Sequence, residues 1–303
     1  MVLRKSGVNC RPGNWSLKDD RVIDLHSHTD RSDGTFTPAE LIAEAVRVGL
    51  TGLAITDHDT FAGYDAAVQY VAAAPLELIC GIELSTRYQG TSVHLLGYFP
   101  VTPPSKELRA WLDMILEARR DRNNRLITKL QSLGVDITLA EVETMGRTLT
   151  ARPHFARVLV DKGYAKDLQD AFDKYLDESA RGFVQRREVA IEEALERILR
   201  SGGVPSLAHP VRIAKNNWER LAEYVEDLAG LGLRAIEVYH SDHSPENVSY
   251  YESLAARFHL GMTGGSDFHG GNKPLISLGT GKRNNLHVPD ALLENLKTLA
   301  TRV

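Results

Sequence analysis

The sequence predicts an α/β barrel that carries an inserted helical subdomain. Two stretches, residues 21–100 and 183–303, alternate short apolar runs with helix-patterned segments, the rhythm of a parallel β/α fold. Residues 101–182 break that rhythm with helical patterning and no clear strand. The length, 303 residues, suits one barrel with a small insertion.

Residues 1–20 carry charges and Pro12-Gly13-Asn14 but no apolar h-region, so they read as a loose leader and not as a signal peptide. Val22 to Leu25 is a first strand that ends in His26. Thr37 can cap a helix, Pro38 suits its first turn, and Glu40 completes a capping box. Leu41, Ile42, Ala45 and Val46 then repeat at helical spacing until Gly49. Leu53 to Ile55 is a second strand, ending in Thr56-Asp57-His58. Leu76 to Ile82 is a third, ending in Glu83, and Val93 to Phe99 is a fourth. With all strands parallel, the loop after the fourth belongs to the catalytic face.

Within 101–182, Leu108, Leu112, Ile115, Leu126, Leu130 and Leu133 predict one or two long amphipathic helices that stop at Gly134. Thr138 with Glu141 is a second capping box, and helical segments follow near 153–162 and 167–177. The β/α rhythm then resumes. A helix near 190–200 ends at Gly202-Gly203, and the strand Val204 to Ala208 ends in His209-Pro210. A helix near 219–230 leads to the strand Ala235 to Tyr239. A helix near 246–257 leads to the strand Leu260 to Thr263, which ends in Ser266-Asp267-Phe268-His269. A last helix covers about 289–300.

Composition narrows the function. With 36 basic and 40 acidic residues the net charge is −4, which gives no bulk field for duplex DNA. Two cysteines, Cys10 and Cys80, in so long a chain point to a reducing compartment. No run of 18 apolar residues is present, so no membrane span is expected, and the expected location is cytoplasmic.

The telling feature is where the ionisable residues fall. His26, His58, Glu83, His209 and Asp267 each lie at or just past a predicted strand end, the active-site face of a parallel barrel. Each has an ordinary alternative: a surface histidine, a turn, a strand-end charge. Asp33 in Ser32-Asp33-Gly34 is good turn chemistry, and His94 sits in an apolar run where a histidine is commonly a core residue. Together, however, five groups from five strands would crowd one mouth. Divalent cations remove the cost of that crowding, because carboxylates and neutral imidazoles are their ligands. His26-x-His28 and Asp267-x-His269 each place two ligand types at i and i+2, on one side of a strand.

These residues resemble a known family. His26-x-His28, Ser32-Asp33-Gly34, Thr56-Asp57-His58-Asp59, Gly81-Ile82-Glu83, His94, Ala208-His209-Pro210 and Ser266-Asp267-Phe268-His269 are similar to the motifs of the PHP (polymerase and histidinol phosphatase) family, over about residues 22–272. The resemblance implies a distorted (β/α)7 barrel and three divalent metals, with manganese, zinc and iron all compatible. It implies that His26, His28, Glu83 and Asp267 hold one metal. Glu83, bridging, holds a second with His94 and His209, and Asp33, His58 and His269 hold the third. Glu83, Asp267 and His209 would then hold the hydroxide that attacks phosphorus. The helical insertion and Ala151-Arg152-Pro153-His154 resemble the branch that contains 3′,5′-nucleotide bisphosphate phosphatases, a branch similar to enzymes that trim RNA from its 5′ end.

The expected activity is therefore metal-dependent hydrolysis of phosphate esters of nucleotides. The first candidate is the 3′-phosphate of a 3′,5′-nucleotide bisphosphate, and short 5′-phosphorylated RNA is a further substrate. Arg152 and His154 at a helix start, Arg212 after His209-Pro210, and His243 after another strand end are the candidate substrate contacts. Asp59 is a candidate for orienting a ligand. Two other readings stand beside this one: a phosphatase for a sugar or histidinol phosphate, and a non-catalytic scaffold stabilised by metal. The complete ligand set counts against the scaffold.

Overall fold

Local chemistry starts each β/α unit where the sequence places it. The computed structural model describes residues 22–301 apart from 73, 147–149, 151, 186–188 and 215–216; the expected leader, Cys10 and Ala151 lie outside the described residues. Strand β1 (Val22–Asp24) leads to helix α1 (Pro38–Arg47), whose capping box forms as expected. Thr37 N donates to Glu40 Oε2 at 2.8 Å, and Glu40 N donates to Thr37 Oγ1 at 3.3 Å. Then follow β2 (Leu50–Ile55), α2 (Ala62–Val71), β3 (Glu77–Tyr88) and β4 (Thr91–Phe99). The helical stretch comprises α3 (Lys106–Ser132), α4 (Leu139–Gly146), α5 (Arg152–Asp161) and α6 (Leu168–Ala171), which runs into a π-helical turn, Phe172–Leu176. The remainder is β5 (Val189–Ala190), α7 (Ile191–Arg200), β6 (Val204–Leu207), α8 (Val211–Ala214), α9 (Trp218–Gly230), β7 (Ala235–His240), α10 (Pro245–Arg257), β8 (Gly261–Gly265), a small hairpin of β9 (Ile276–Ser277) and β10 (Gly281–Lys282), and α11 (Ala291–Ala300).

Seven strands run in the order β1-β2-β3-β4-β6-β7-β8, with β5 added beside β3. The sheet closes on itself: Leu25 N donates to Gly264 O at 3.0 Å, Asp267 N donates to His26 O at 2.8 Å, and Ser27 bridges Phe268 in parallel register. Tyr98 of β4 spans the interior and donates its hydroxyl to Leu25 O at 2.9 Å. Ile23, Leu25, Ile79, Leu96 and Val204 pack inside with Leu292 and Leu296 of α11. This is the distorted seven-stranded α/β barrel the sequence predicts.

One strand departs from expectation. β4 runs antiparallel to both neighbours, β3 and β6. The cause is a two-residue turn at Gln89-Gly90, with φ of 45° and 78°, the left-handed pair that closes a tight hairpin. Two expectations change with it. Glu83 is not at a strand end, because β3 continues past it to Tyr88. The chain also leaves β4 at the base of the barrel, beside the start of β3 where Phe99 pairs with Cys80, and not at the catalytic face.

Helix α3 returns the chain to the mouth. At the base, Ser105 caps it and donates N–H to Ser201 Oγ at 2.6 Å. Leu108, Trp111 and Leu112 bury against the barrel wall. Its 27 residues span about 40 Å at 1.5 Å per residue. Its far half buries Leu126, Ile127 and Leu130 in a separate apolar cluster with Val135, Phe155, Leu159 and Leu176. Between the two, Arg119 forms a buried ion pair with Asp59 at the barrel mouth.

Candidate metal centre

Strand ends and close backbone approaches assemble the site. Asp24, fully buried, fastens β1 to the segment after β8: Oδ1 accepts from His26 N at 3.1 Å and Ser266 N at 2.9 Å, and Oδ2 accepts from Gly279 N at 2.8 Å. Gly265 lets these segments touch, since a Cβ there would lie 2.2 Å from His26 N. Asp57 shapes the loop that carries Asp33, accepting from Thr29 N at 2.7 Å and Ser32 Oγ at 2.6 Å. His209, Asp267 and Asp59 all have positive φ (26°, 60° and 55°), a strained conformation for side chains other than glycine that is typical of functional sites.

The structure brings all nine sequence-predicted ligand candidates to one mouth. Glu83 is its centre. Its Oε1 lies 2.7 Å from His94 Nδ1 and 2.9 Å from His209 Nε2. Its Oε2 lies 3.1 Å from His28 Nε2, 3.2 Å from His26 Nε2 and 3.4 Å from His58 Nδ1. Asp267 Oδ1 faces His28 Nε2 at 3.4 Å and His26 Nε2 at 3.6 Å, so His26, His28, Glu83 and Asp267 make one compact donor group. His28, Asp33, His58 and His269 make another, with His269 Nε2 3.2 Å from Asp33 Oδ1.

These contacts fit ligands better than they fit donors and acceptors. His26 Nε2, His28 Nε2 and His58 Nδ1 are buried, crowd the same Glu83 oxygen, and make no hydrogen bond to a described residue. Burial pushes His58 down to about 4 and His209 to about 3, so both rings are neutral at pH 7 and offer lone pairs. For His28, burial is outweighed by the Asp267 and Glu83 carboxylates, which raise it to about 9. Burial opposes the charge on Asp33, Glu83 and Asp267, but the surrounding imidazoles hold all three well below the usual carboxylate range. A buried set of carboxylates and imidazoles suits divalent cations, which take the place of ring protons, such as those that the carboxylates favour on His26 and His28, as counter-charge.

Sequence reasoning missed the next layer. Glu237 Oε1 lies 2.9 Å from His26 Nδ1, and Glu237 Oε2 accepts from His209 N at 2.6 Å. That carboxylate fixes the His26 tautomer so that Nε2 faces Glu83. His240, at the end of the same strand, completes a buried trio with His26 and Glu237. The available signal was a carboxylate inside the apolar run Ile236-Glu237-Val238. Asp59 meets Glu83 through its backbone, its N–H donating to Glu83 O at 3.0 Å, while its side chain accepts from Ser85 N at 2.8 Å and pairs with Arg119.

A cleft of about 800 Å³ opens on this cluster. Asp33, His58 and His94 line one part; elsewhere the lining includes Arg87, Arg119, Arg122, Arg152, Phe172 and Phe183, together with Asp177 and Glu178, the latter 3.1 Å from Arg87. Arg152 lines this cleft, and Arg119 and Arg122, hidden in a helical pattern, line it too. His154 is half-buried, and burial lowers it despite the pull of Asp33. Arg212 pairs with Asp242 Oδ2 at 2.5 Å and Asp267 Oδ2 at 2.9 Å. His243 is not brought to the cleft: its ring is buried, packs on Tyr251, and bonds Val238 O through Nδ1 at 2.8 Å.

Comparisons with known proteins agree with this geometry. A 5′-3′ exoribonuclease, Rnm, of Salmonella typhimurium is 36% identical over 82% of this chain and 85% of its own length. A 3′,5′-nucleoside bisphosphate phosphatase of Chromobacterium violaceum is 33% identical over 82% of this chain and 87% of its own. The solved structure of an amidohydrolase from Chromobacterium violaceum, with bound sulfate and no metal, superposes with a TM-score of 0.76 at 29% identity, covering 91% of this chain and 96% of that one. Residues 24–232 match the PHP domain, and the chain belongs to the PHP domain family.

Proposed function

We propose that this protein, a metal-dependent hydrolase of phosphoester bonds, acts on nucleotides. It removes the 3′-phosphate of 3′,5′-nucleotide bisphosphates, and the same site accepts the end of short 5′-phosphorylated RNA. One observation carries this reading: a cleft with four arginines and two phenylalanines opens directly on the Glu83 cluster. A sugar phosphate or histidinol phosphate has one phosphate and no base, and leaves most of that cleft without a task. The names of the two relatives support the same substrate class.

His26, His28, Asp33, His58, Glu83, His94, His209, Asp267 and His269 would hold three divalent cations, with manganese the first candidate. When bound, such cations offset phosphoryl charge and acidify water from a pKa of 15.7 to roughly 7. Glu237 keeps the His26 and His209 segments in register. Arg212 offers a guanidinium beside Asp267 for a phosphoryl oxygen, and Arg152, with Arg122, offers charge for a second phosphate, while Arg119 stays paired with Asp59. Phe172 and Phe183 offer apolar faces for a base. A cytoplasmic location belongs to this reading; it is supported by a free, buried Cys80, and no helix among the described residues is long and apolar enough to cross a membrane.

The test is phosphate release from a panel of 3′,5′-bisphosphates, nucleoside monophosphates, short 5′-phosphorylated RNAs, sugar phosphates and histidinol phosphate, with manganese and with a chelator. The bisphosphate is expected to lead and the chelator to abolish release. Faster turnover of a sugar or histidinol phosphate than of any nucleotide overturns the reading, and no release from any ester restores the scaffold.

A further inference from the structure

Asp267 meets two different environments. Its Oδ1 faces the imidazoles of His26, His28 and His269 at 3.4–3.6 Å. Its Oδ2 faces two cations, Lys273 Nζ at 2.6 Å and Arg212 Nη2 at 2.9 Å, and the His240 ring at 3.5 Å. Lys273 comes from the Gly270-Gly271-Asn272-Lys273 loop just past the Asp267-x-His269 motif. Neither the motif nor the predicted elements draw attention to it.

That loop is fastened. Gly271 N donates to Thr35 Oγ1 at 2.8 Å, and Asn272 Nδ2 donates to Asp33 O at 2.7 Å. Lys273 N closes back on Gly270 O at 3.1 Å. Gly270 has φ of 61°, and a Cβ there would lie 2.3 Å from Thr35 Oγ1, so the loop is seated against the segment that carries Asp33. Lys273 is therefore presented at a defined place on the rim, with its side chain about one-third exposed at 32%.

The local charge count shows what it is for. Arg212 and Lys273 contribute two positive charges, and Asp242 and Asp267 contribute two negative ones. When Asp267 spends its charge on the divalent centre, one cation on this rim is left without an anion. Arg212 keeps Asp242, which it contacts through both Nε and Nη2. Lys273 makes no other ion pair with a described residue.

We propose that Lys273 is an anion-binding residue for the phosphoryl group under attack, working beside Arg212 and outside the lining of the arginine cleft. The site would then hold a doubly phosphorylated substrate at two separate cationic places. Lys273 and Arg212 serve the phosphate that leaves as inorganic phosphate, and Arg152 with its neighbours serves the one that stays. The proposal rests on the phosphoesterase reading for its substrate but not for its binding measurement.

Lys273→Met and Lys273→Arg, in the full chain loaded with manganese, test it. Elemental analysis reads metal content, calorimetry reads the affinity for inorganic phosphate, and steady-state kinetics read KM. Lys273→Met is expected to keep its metals, to weaken inorganic phosphate at least about tenfold, the loss of one charged contact, and to raise KM by the same factor for monophosphates and bisphosphates. Lys273→Arg is expected to recover most of the affinity. An unchanged phosphate affinity overturns the proposal. So does a fall in metal content that accounts for the loss, since Lys273 is then only the counter-charge of Asp267. If the wild type binds phosphate through Lys273 but hydrolyses no nucleotide, the substrate reading fails and this inference stands. If it hydrolyses nucleotides while phosphate affinity ignores Lys273, the reverse holds.

Discussion

A single methyl group at Gly265 should disable the site without removing one polar atom. A Cβ on residue 265 would sit 2.2 Å from His26 N and 2.4 Å from His26 Cβ. Ordinary contact begins at 3.4 Å, so the two segments must part by about 1.2 Å. The contacts at risk are the closing bonds of the barrel, Leu25 N to Gly264 O at 3.0 Å and Asp267 N to His26 O at 2.8 Å. Two backbone hydrogen bonds contribute about 1 kcal/mol each, and overpacking costs about 1–3 kcal/mol. Gly265→Ala should therefore lose about 3–5 kcal/mol, read as a lower urea midpoint at an unchanged slope. His26 and Asp267 ride on the two displaced segments, and a shift near 1 Å in a catalytic constellation costs about a hundredfold in rate. Manganese content and phosphate release should fall together. A Gly265→Ala protein with full metal load, activity and midpoint would refute the packing argument.

Three further outcomes are expected. Glu83→Gln removes the anion that five imidazoles approach within 3.4 Å, so elemental analysis should show metal lost and phosphate release should collapse; full activity in a chelator would exclude the metal mechanism. Arg152→Ala should lower kcat/KM for a 3′,5′-bisphosphate by roughly tenfold to a hundredfold, the value of one charge-assisted contact, and spare a simple monophosphate ester; equal losses on both would remove Arg152 from recognition. In the metal-free protein, His58 and His209 are pushed down to about 4 and 3, so the stability they contribute is complete above pH 6.5 and declines below it. His28, raised to about 9, contributes stability that is complete below pH 6.5 and is lost as pH rises through 9. Urea midpoints of metal-free protein should thus peak near pH 6.5, and a steady rise toward pH 4 would contradict the assignment.

How far the sequence was legible depended on the range of the interaction. Capping at Thr37 and Thr138 was legible because its partners, Glu40 and Glu141, lie three residues away. Most of the nine clustered residues were legible from short local motifs at strand ends, whereas Asp33 and His94 were legible only through the family resemblance. Helix α2 was not, because Ala62-Gly63 and the alanines after it give weak apolar periodicity. The reversal of β4 was not read either, although Gln89-Gly90 announces a tight hairpin. Glu237, Arg119 and Lys273 were missed for a different reason. Only Glu237 carries a local mark, a carboxylate in an apolar run, and the partners of all three, His26, Asp59 and Asp267, are brought near only by the folded barrel. His243 stood in a good motif but points to Val238 O, because burial against Tyr251 turns its ring inward.

The reversed strand also sets an order of events during folding. β3 and β4 are joined by two residues, so their ladder is local and a hairpin of this kind forms within about 1–10 μs. Glu83 and His94, 2.7 Å apart across that ladder, become neighbours early. Closure between β1 and β8 joins residues such as Asp24 and Ser266, 242 positions apart, and must wait for the chain between them. His26 and Asp267 therefore meet last. A cation that needs both finds no complete cage in the partly folded chain. A cation that binds only after closure would leave the folding rate unchanged. Its effect falls on the unfolding rate, so metal governs how long the folded molecule survives and not how fast it forms.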